Sequence, residues 1–337
     1  MIKVTIDIMR RASAWILVGA SAMGLMGCAG QQSALDPAGW GAERIATLFW
    51  WMVAGAGVVW LVLVGLIIYS VRRRKPATSE RRARLFIIGG GTVVPTLVLA
   101  GLLIYGLKML PEMLAPAPEG SLKITVIGEQ WWWRVRYHHP QGGDVELANE
   151  IRLPVGEPVE FNLESNDVIH SFWIPALGGK MDMIPGRQTR LVLKPTRTGV
   201  FRGVCAEYCG ASHALMAFDV VVLEKEEFSF WLDRQRDSSV DPVSLLAVKG
   251  RDLFFENGCT ACHTVRGTKA DGLVGPDLTH VGGRLSLGAG TTPNQPDDFV
   301  RWIEQTDKIK PGVHMPHFRM LPKEELRVIA AYLESLK

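Results

Sequence analysis

Residues 205–216 read Cys-Ala-Glu-Tyr-Cys-Gly-Ala-Ser-His-Ala-Leu-Met, and a second histidine, His170, lies 35 residues before Cys205. Two thiols, two imidazoles and a thioether are the soft-to-borderline donor set that selects copper over hard cations. Three residues between the cysteines let one loop turn both sulfurs toward a common centre. His213 and Met216 can close round the same loop, and His170 arrives from another strand. Two bridging thiolates with one imidazole per metal would hold two coppers, with Met216 and a backbone carbonyl near Glu207 as weak outer ligands. Other uses of these residues stay open. A Cys205–Cys209 disulfide suits an oxidising compartment but leaves His213 and Met216 without a role. A Cys2His2 zinc site has no use for the methionine. A mononuclear blue-copper site needs one cysteine, and here there are two.

Around this loop the hydrophobic pattern has a period of two. Segments 122–127, 133–137, 159–163, 189–193 and 218–223 are short, rich in Val, Ile, Leu and aromatics, and separated by Gly, Pro, Asn and Asp. This predicts an antiparallel sandwich or barrel over 121–235, closed by a short amphipathic helix at 226–235. Residues 236–243, with Ser-Ser and Asp-Pro, read as a linker. Beyond them the signals are helical, at 244–256, 297–306 and 322–336.

Upstream, residues 45–70 and 85–107 carry no formal charge. At ~1.5 Å per residue each is long enough to cross a ~30 Å hydrocarbon core, so 28–120 reads as a transmembrane hairpin. Residues 1–120 hold 12 basic and 6 acidic side chains, and seven of the basic ones fall between Arg72 and Arg84. The positive-inside rule places that loop in the cytoplasm and both ends of the hairpin outside. So local an excess marks membrane topology, not nucleic-acid binding. At the start, Lys3, Arg10 and Arg11 precede an apolar stretch ending in Leu-Met-Gly-Cys28. This resembles a bacterial lipoprotein signal, which implies cleavage after residue 27 and lipidation of Cys28. With 47% hydrophobic and 21% charged residues the chain is not disordered, and five cysteines in 337 residues make no disulfide framework.

Downstream, Cys259-Thr-Ala-Cys262-His263 is a C-x-x-C-H run, which reads as covalent haem attachment through both sulfurs with His263 as the proximal iron ligand. Residues 244–337 resemble c-type cytochromes. On that resemblance Met315, in Lys-Pro-Gly-Val-His-Met-Pro at 310–316, is the distal ligand, with Met320, His314 and His317 as rivals. Gly275-Pro276-Asp277-Leu278 resembles the loop whose proline carbonyl orients the proximal imidazole. His138, His139 and His280 have no partners at useful spacing and read as solvated.

The pattern Cys-x-Glu-x-Cys-x3-His-x2-Met, with His170-Ser-Phe-Trp-Ile-Pro upstream, 180–187 Lys-Met-Asp-Met-Ile-Pro-Gly-Arg between and Gln130-Trp-Trp-Trp133 before, resembles subunit II of the cytochrome c oxidases over roughly 40–235. The resemblance implies a cupredoxin fold carrying the binuclear CuA centre. It implies that His170 and Met216 bind one copper, His213 and the Glu207 carbonyl the other, and Cys205 and Cys209 both. It further implies a magnesium ion held by the Glu207 side chain at the subunit I interface, and electron arrival from cytochrome c at Trp131. Trp132 and Trp133 read as packing.

A haem domain fused behind a CuA domain resembles the caa-type branch of the haem-copper oxidases. The expected architecture is therefore a two-helix membrane hairpin, an all-β cupredoxin domain and an all-α cytochrome c domain, in a bacterial inner membrane with the metal domains outside. The expected role is to pass electrons from cytochrome c through haem c and CuA to a dioxygen-reducing, proton-pumping subunit I, with subunit III as a further partner. With the haem domain fused, electron arrival is expected to bypass Trp131. The net charge of −4 over 121–244 suits a basic donor. One departure stands out: Ile88 occupies the position where family members carry a glutamate at the mouth of a proton channel. Two alternatives are a CuA-containing nitric oxide reductase subunit and a membrane-anchored copper/haem redox sensor.

Overall fold

The period-two segments of the middle third become strands, described in a computed structural model that covers residues 29–72, 79–138 and 142–337. The signal-like segment with Cys28, the basic residues Arg73, Arg74 and Lys75, and His139 lie outside the described residues. The chain divides into two units, Arg44–Pro116 and the remainder.

In the membrane unit, α1 (Trp40–Arg72, begun in the neighbouring unit) is followed by α2 (Glu80–Ile88), a π-helical turn at Gly89–Val93 and α3 (Val94–Leu114). Both helical rods are long and apolar enough to cross a membrane, and their apolar side chains are exposed in the isolated chain. Ile88 closes α2, and the widened turn falls on the Gly-Gly-Gly run, where no side chains resist the extra residue.

The other unit holds two five-stranded sheets. One has the order β3 (Val145–Ala148), β2 (Trp132–His138), β1 (Leu122–Glu129), β5 (Val159–Ser165), β8 (Thr189–Leu193). The second runs β4 (Glu150–Pro154), β10 (Ala217–Leu223), β9 (Gly199–Cys205), β6 (His170–Trp173), β7 (Met181–Met183). The sandwich is mixed, not purely antiparallel, because β1 pairs parallel with β5 and β10 parallel with β4. Parallel neighbours need crossovers between sheets, which alternation within one strand does not report. Trp133, Phe172 and Phe218 fill the space between the sheets. Phe172 stacks on Phe218 at 4.8 Å and Trp133 meets Phe218 edge-on at 5.2 Å. Truncating such a fully buried aromatic costs about 3–5 kcal/mol. Ala38 is also fully buried, and the 38–42 segment is tied to the sandwich through Ala38 N–H to the Ala176 carbonyl at 2.7 Å.

After α4 (Lys225–Arg234) the chain runs to α5 (Leu245–Glu256), capped by the Ser244 hydroxyl, which accepts from Ala247 N–H at 3.1 Å. Two short hairpins follow, β11–β12 (Thr264–Val265, Ala270–Asp271) and β13–β14 (Ser286–Leu287, Thr292–Pro293). Then come α6 (Pro296–Ile309) and α7 (Lys323–Ser335). Leu326, Ile329, Ala330 and Leu333 of α7 are buried, as their helical spacing requires, and Phe254 meets Tyr332 edge-on at 5.6 Å. The stretch 236–243 is pinned rather than free: Ser239 N–H donates to the Arg266 carbonyl at 2.9 Å and an Arg266 guanidinium N–H to the Arg236 carbonyl at 3.3 Å.

Candidate metal centres

The 205–216 loop is the connection of a β-hairpin. Strands β9 and β10 pair antiparallel with Val204 opposite Ala217, and the ladder continues one step further through Cys205 N–H to the Met216 carbonyl at 2.9 Å. The first cysteine and the methionine therefore face each other across the loop's neck. Strand β6 lies on the other side of β9 with Phe172 opposite Cys205, which sets His170 beside the same sulfur.

The donor atoms converge. Cys205 Sγ stands 3.8 Å from His170 Nδ1, 3.8 Å from Cys209 Sγ and 3.2 Å from the Glu207 carbonyl oxygen. Cys209 Sγ stands 3.6 Å from His213 Nδ1 and 3.8 Å from Met216 Sδ. His170 is fully buried, Cys205, Cys209 and Met216 nearly so, while His213 is half-buried and the Glu207 side chain exposed. A sulfur separation of 3.8 Å is far beyond the ~2.05 Å of a disulfide. It is less than twice a ~2.3 Å bond from a thiolate to a first-row ion, so both sulfurs can share a metal. The set of two thiols, two imidazole Nδ1 atoms, a thioether and a carbonyl fits copper.

The surroundings prepare these ligands. His170 Nε2 lies 2.7 Å from Asp167 Oδ1, which turns Nδ1 toward Cys205. Burial pulls the imidazole pKa down, but its bonds to Cys205 and Asp167 outweigh this and raise it. The hydrogen bond between the two sulfurs favours the Cys205 thiolate, against burial and with help from His170, and together with burial it holds Cys209 as the thiol. The His170 side chain also packs against Gly128, where an added Cβ would sit 2.7 Å from His170 Cδ2.

Trp131 is 6% exposed. Its indole N–H donates to the Cys209 carbonyl at 2.9 Å, and the Gln130 amide donates to the same oxygen at 2.7 Å. A Cβ added at Gly312, on the loop leading to Met315, would meet the Trp131 ring at 2.8 Å. Trp133 is fully buried and Trp132 half-buried beneath the Arg134 guanidinium, whose carbon lies 4.8 Å from the ring centroid.

In the second centre, Cys259 and Cys262 lie on one short turn, both half-buried and free. Burial pushes the Cys259 thiol up to about 11. His263 Nδ1 is 2.8 Å from the Pro276 carbonyl, so Nδ1–H donates and Nε2 keeps its lone pair for a metal. Burial lowers the pKa of this imidazole and favours that neutral form. A Cβ on Gly275 would lie 2.6 Å from His263 Cε1. Met315 packs against the core of the helical domain with Cys259, Trp302 and Phe318, whereas Met320 is 71% exposed. Two thiols, one oriented imidazole and a half-buried methionine fit a covalently held haem.

Two histidines expected to be solvated and without partners have partners, and one of them is buried. His280 is 8% exposed, with Nε2 at 3.2 Å from the Asp237 carbonyl, because the 236–243 stretch folds over it. His138 pairs with Thr125 Oγ1 at 2.7 Å and Asp144 at 3.1 Å. Spacing in sequence could not show these partners. Asp167 and Lys310 also went unread. Asp167 lies three residues before His170 in a polar turn, and a carboxylate near a ligating histidine is the signal that could have found it. Lys310 is buried to 1% exposure, its Nζ donating to the Leu215 and Gly288 carbonyls at 2.9 and 2.7 Å. Burial lowers its pKa to about 7.

Residues 139–224 match the family described as cytochrome c oxidase subunit II, periplasmic domain, and residues 247–337 match cytochrome c. The chain is 35% identical over 327 residues to cytochrome c oxidase subunit 2 of Alkalihalophilus pseudofirmus, covering 93% of this chain and 94% of that one. It is 32% identical over 264 residues to the subunit 2 of Bacillus subtilis, 73% of each chain. Among solved structures, the periplasmic domain of subunit II of the Bradyrhizobium japonicum cytochrome oxidase is 34% identical, with a TM-score of 0.34 over 37% of this chain and 97% of that one. The first family implies copper at the His/Cys cluster and the second implies haem at the C-x-x-C-H turn. A membrane-anchored chain with this sandwich, this donor loop and this helical domain belongs to the cytochrome c oxidase subunit II family, with a cytochrome c domain fused behind it.

Proposed function

We propose that this chain is the electron-accepting subunit of an aa-type oxidase, taking electrons from cytochrome c at its haem domain and delivering them to a dioxygen-reducing, proton-pumping subunit I. The observation that carries this reading is the contact between the two centres' loops: the Ser212 hydroxyl, on the copper loop, donates to the Pro311 carbonyl, on the axial-methionine loop, at 2.6 Å. Copper and haem, when bound, supply one-electron oxidation and reduction without proton uptake.

The chain's own part is to bind and orient. His170, Cys205, Cys209, His213, Met216 and the Glu207 carbonyl hold the copper pair. Cys259 and Cys262 anchor the haem, and His263 and Met315 ligate it. Asp167 and the Pro276 carbonyl fix the two imidazoles so that neither must reorient when charge changes, which keeps reorganisation small. Burial of His170, Cys205, Cys209 and Met216 excludes water from their side of the centre. Trp131, covered by Gly312, serves the contact with the fused haem domain, and soluble cytochrome c docks at the haem domain. The exposed Glu207 side chain is offered to a magnesium ion at the subunit I interface. The hairpin anchors the chain, its basic loop inside and the metal domains outside. Cys28 carries a lipid, and subunit III completes the complex. Ile88 argues against proton admission through this subunit.

The test is metal content, optical spectrum and low-temperature EPR of the full chain made with haem maturation, together with oxygen uptake by membranes supplied with reduced cytochrome c. Two coppers sharing one unpaired electron beside one low-spin haem are expected. One zinc, or a Cys205–Cys209 disulfide without copper, overturns the assignment.

A further inference from the structure

Lys310 opens the loop that leads to Met315, and its side chain leaves the domain to which it belongs. The Leu215 carbonyl it binds immediately precedes the ligand Met216, and the Gly288 carbonyl lies in the turn of β13–β14. One amino group thus joins the copper loop, the haem-domain hairpin and the axial loop. The sandwich and the hairpin also meet directly beside it: Ala217 N–H donates to the Ala289 carbonyl at 3.1 Å, and the Arg202 guanidinium of β9 to the Gly290 carbonyl at 2.8 Å. The bond to Gly288 lies within the haem domain, whereas Leu215 gains its donor from Lys310 only while the domains are in contact. Without Lys310 the Gly288 carbonyl still accepts from the Thr291 hydroxyl at 2.6 Å, whereas the Leu215 carbonyl is left with that same shared hydroxyl at 3.4 Å, a poorer donor.

We propose that Lys310 is a positioning residue that keeps the axial-methionine loop seated on the copper loop, so that the haem domain works from one fixed seat and does not swing on residues 236–243. This rests on the electron-transfer reading above. The step it serves moves one electron, with haem iron oxidised, the copper pair reduced and no bond made or broken.

The test compares wild type, K310M and K310Q in the assembled complex. K310M keeps the apolar stem and removes the donors, so exchange of the Ala217 amide should accelerate roughly tenfold. Flash-triggered electron transfer from haem to copper should slow by a similar factor and become sensitive to ionic strength. The copper EPR, the haem spectrum and the rate of haem reduction by cytochrome c should not change. K310Q, which retains an N–H donor, should recover part of both losses. Unchanged exchange and transfer in K310M overturn the proposal, and so does an altered copper EPR, which would make the lysine a prop of the ligand loop itself. If K310M does not accumulate, S212A removes only the bond to Pro311. A few-fold acceleration of Ala217 exchange supports the seat, and none overturns it. Wild-type chain lacking the copper or haem signals would instead defeat the preceding reading, since amide exchange is read on the protein alone.

Discussion

His170 and Cys205 come from the ends of two strands and Met216 immediately precedes a third, whereas Cys259, Cys262 and His263 sit within five consecutive residues. In the copper loop, register does the work: a ladder bond at the neck and a flanking strand bring side chains 46 residues apart in sequence to one point, His170 to Met216. In the haem turn, proximity in the chain supplies three groups at once, and on the proposed ligation only Met315 must be delivered by the fold. A centre assembled by sheet register is as rigid as the sheet. A centre assembled locally depends on one loop to finish it.

This contrast can be broken or sharpened by substitution. The largest effect is expected from C209S, which removes one of the two sulfurs proposed to bridge the coppers. Copper affinity should fall by more than about 100-fold, with haem content unaltered, as metal analysis of purified chain would report. Retention of both coppers would show that the sheet alone suffices. Next comes M315A. Haem should stay attached through Cys259 and Cys262, but its midpoint potential should drop by on the order of 0.2 V in a redox titration. The same titration on M320L should show no change, given the exposure of that side chain. D167N should weaken copper binding by about tenfold, because His170 loses the carboxylate that sets its orientation; competition with a chelator measures it.

The smallest effect lies at the base of the axial loop. Arg319 grips Asp307 through two bonds of 3.1 and 2.9 Å and holds its pKa below the ordinary carboxylate value. A carboxylate depressed in the folded state adds stability above its unfolded pKa and loses it as the pH falls through the folded one. D307N should therefore lower the melting temperature slightly at neutral pH, with the difference vanishing in strong acid. Exposure and screening keep this contribution small.

How much of this could be read from the chain alone follows the same division. The C-x-x-C-H turn, the two apolar spans and the helical stripe of α7 are local patterns, and each appears where the sequence places it. The copper ligands were legible because their spacing is unusual, although their convergence depends on a hairpin register that no spacing states. Five strands of the sandwich went unread, among them β6, β7 and β9, which flank the centre. β3, β4, β6 and β7 run three to five residues, too few for alternation to show, and in β9 the buried positions are Phe201, Gly203 and Cys205, of which only Phe201 is a strong apolar signal. The contacts around Lys310 and His280 join residues 95 and 43 positions apart, and nothing local announces them.

Gly128 and Gly275 each lie under one of the two imidazoles. Neither donates an atom to a centre, yet a single methyl group at either would occupy the space of the ring above it. In a saturation library scored by metal loading, these two positions should tolerate substitution as poorly as His170 and His263 themselves. The ledger of indispensable residues is therefore longer than the ligand set by two hydrogens.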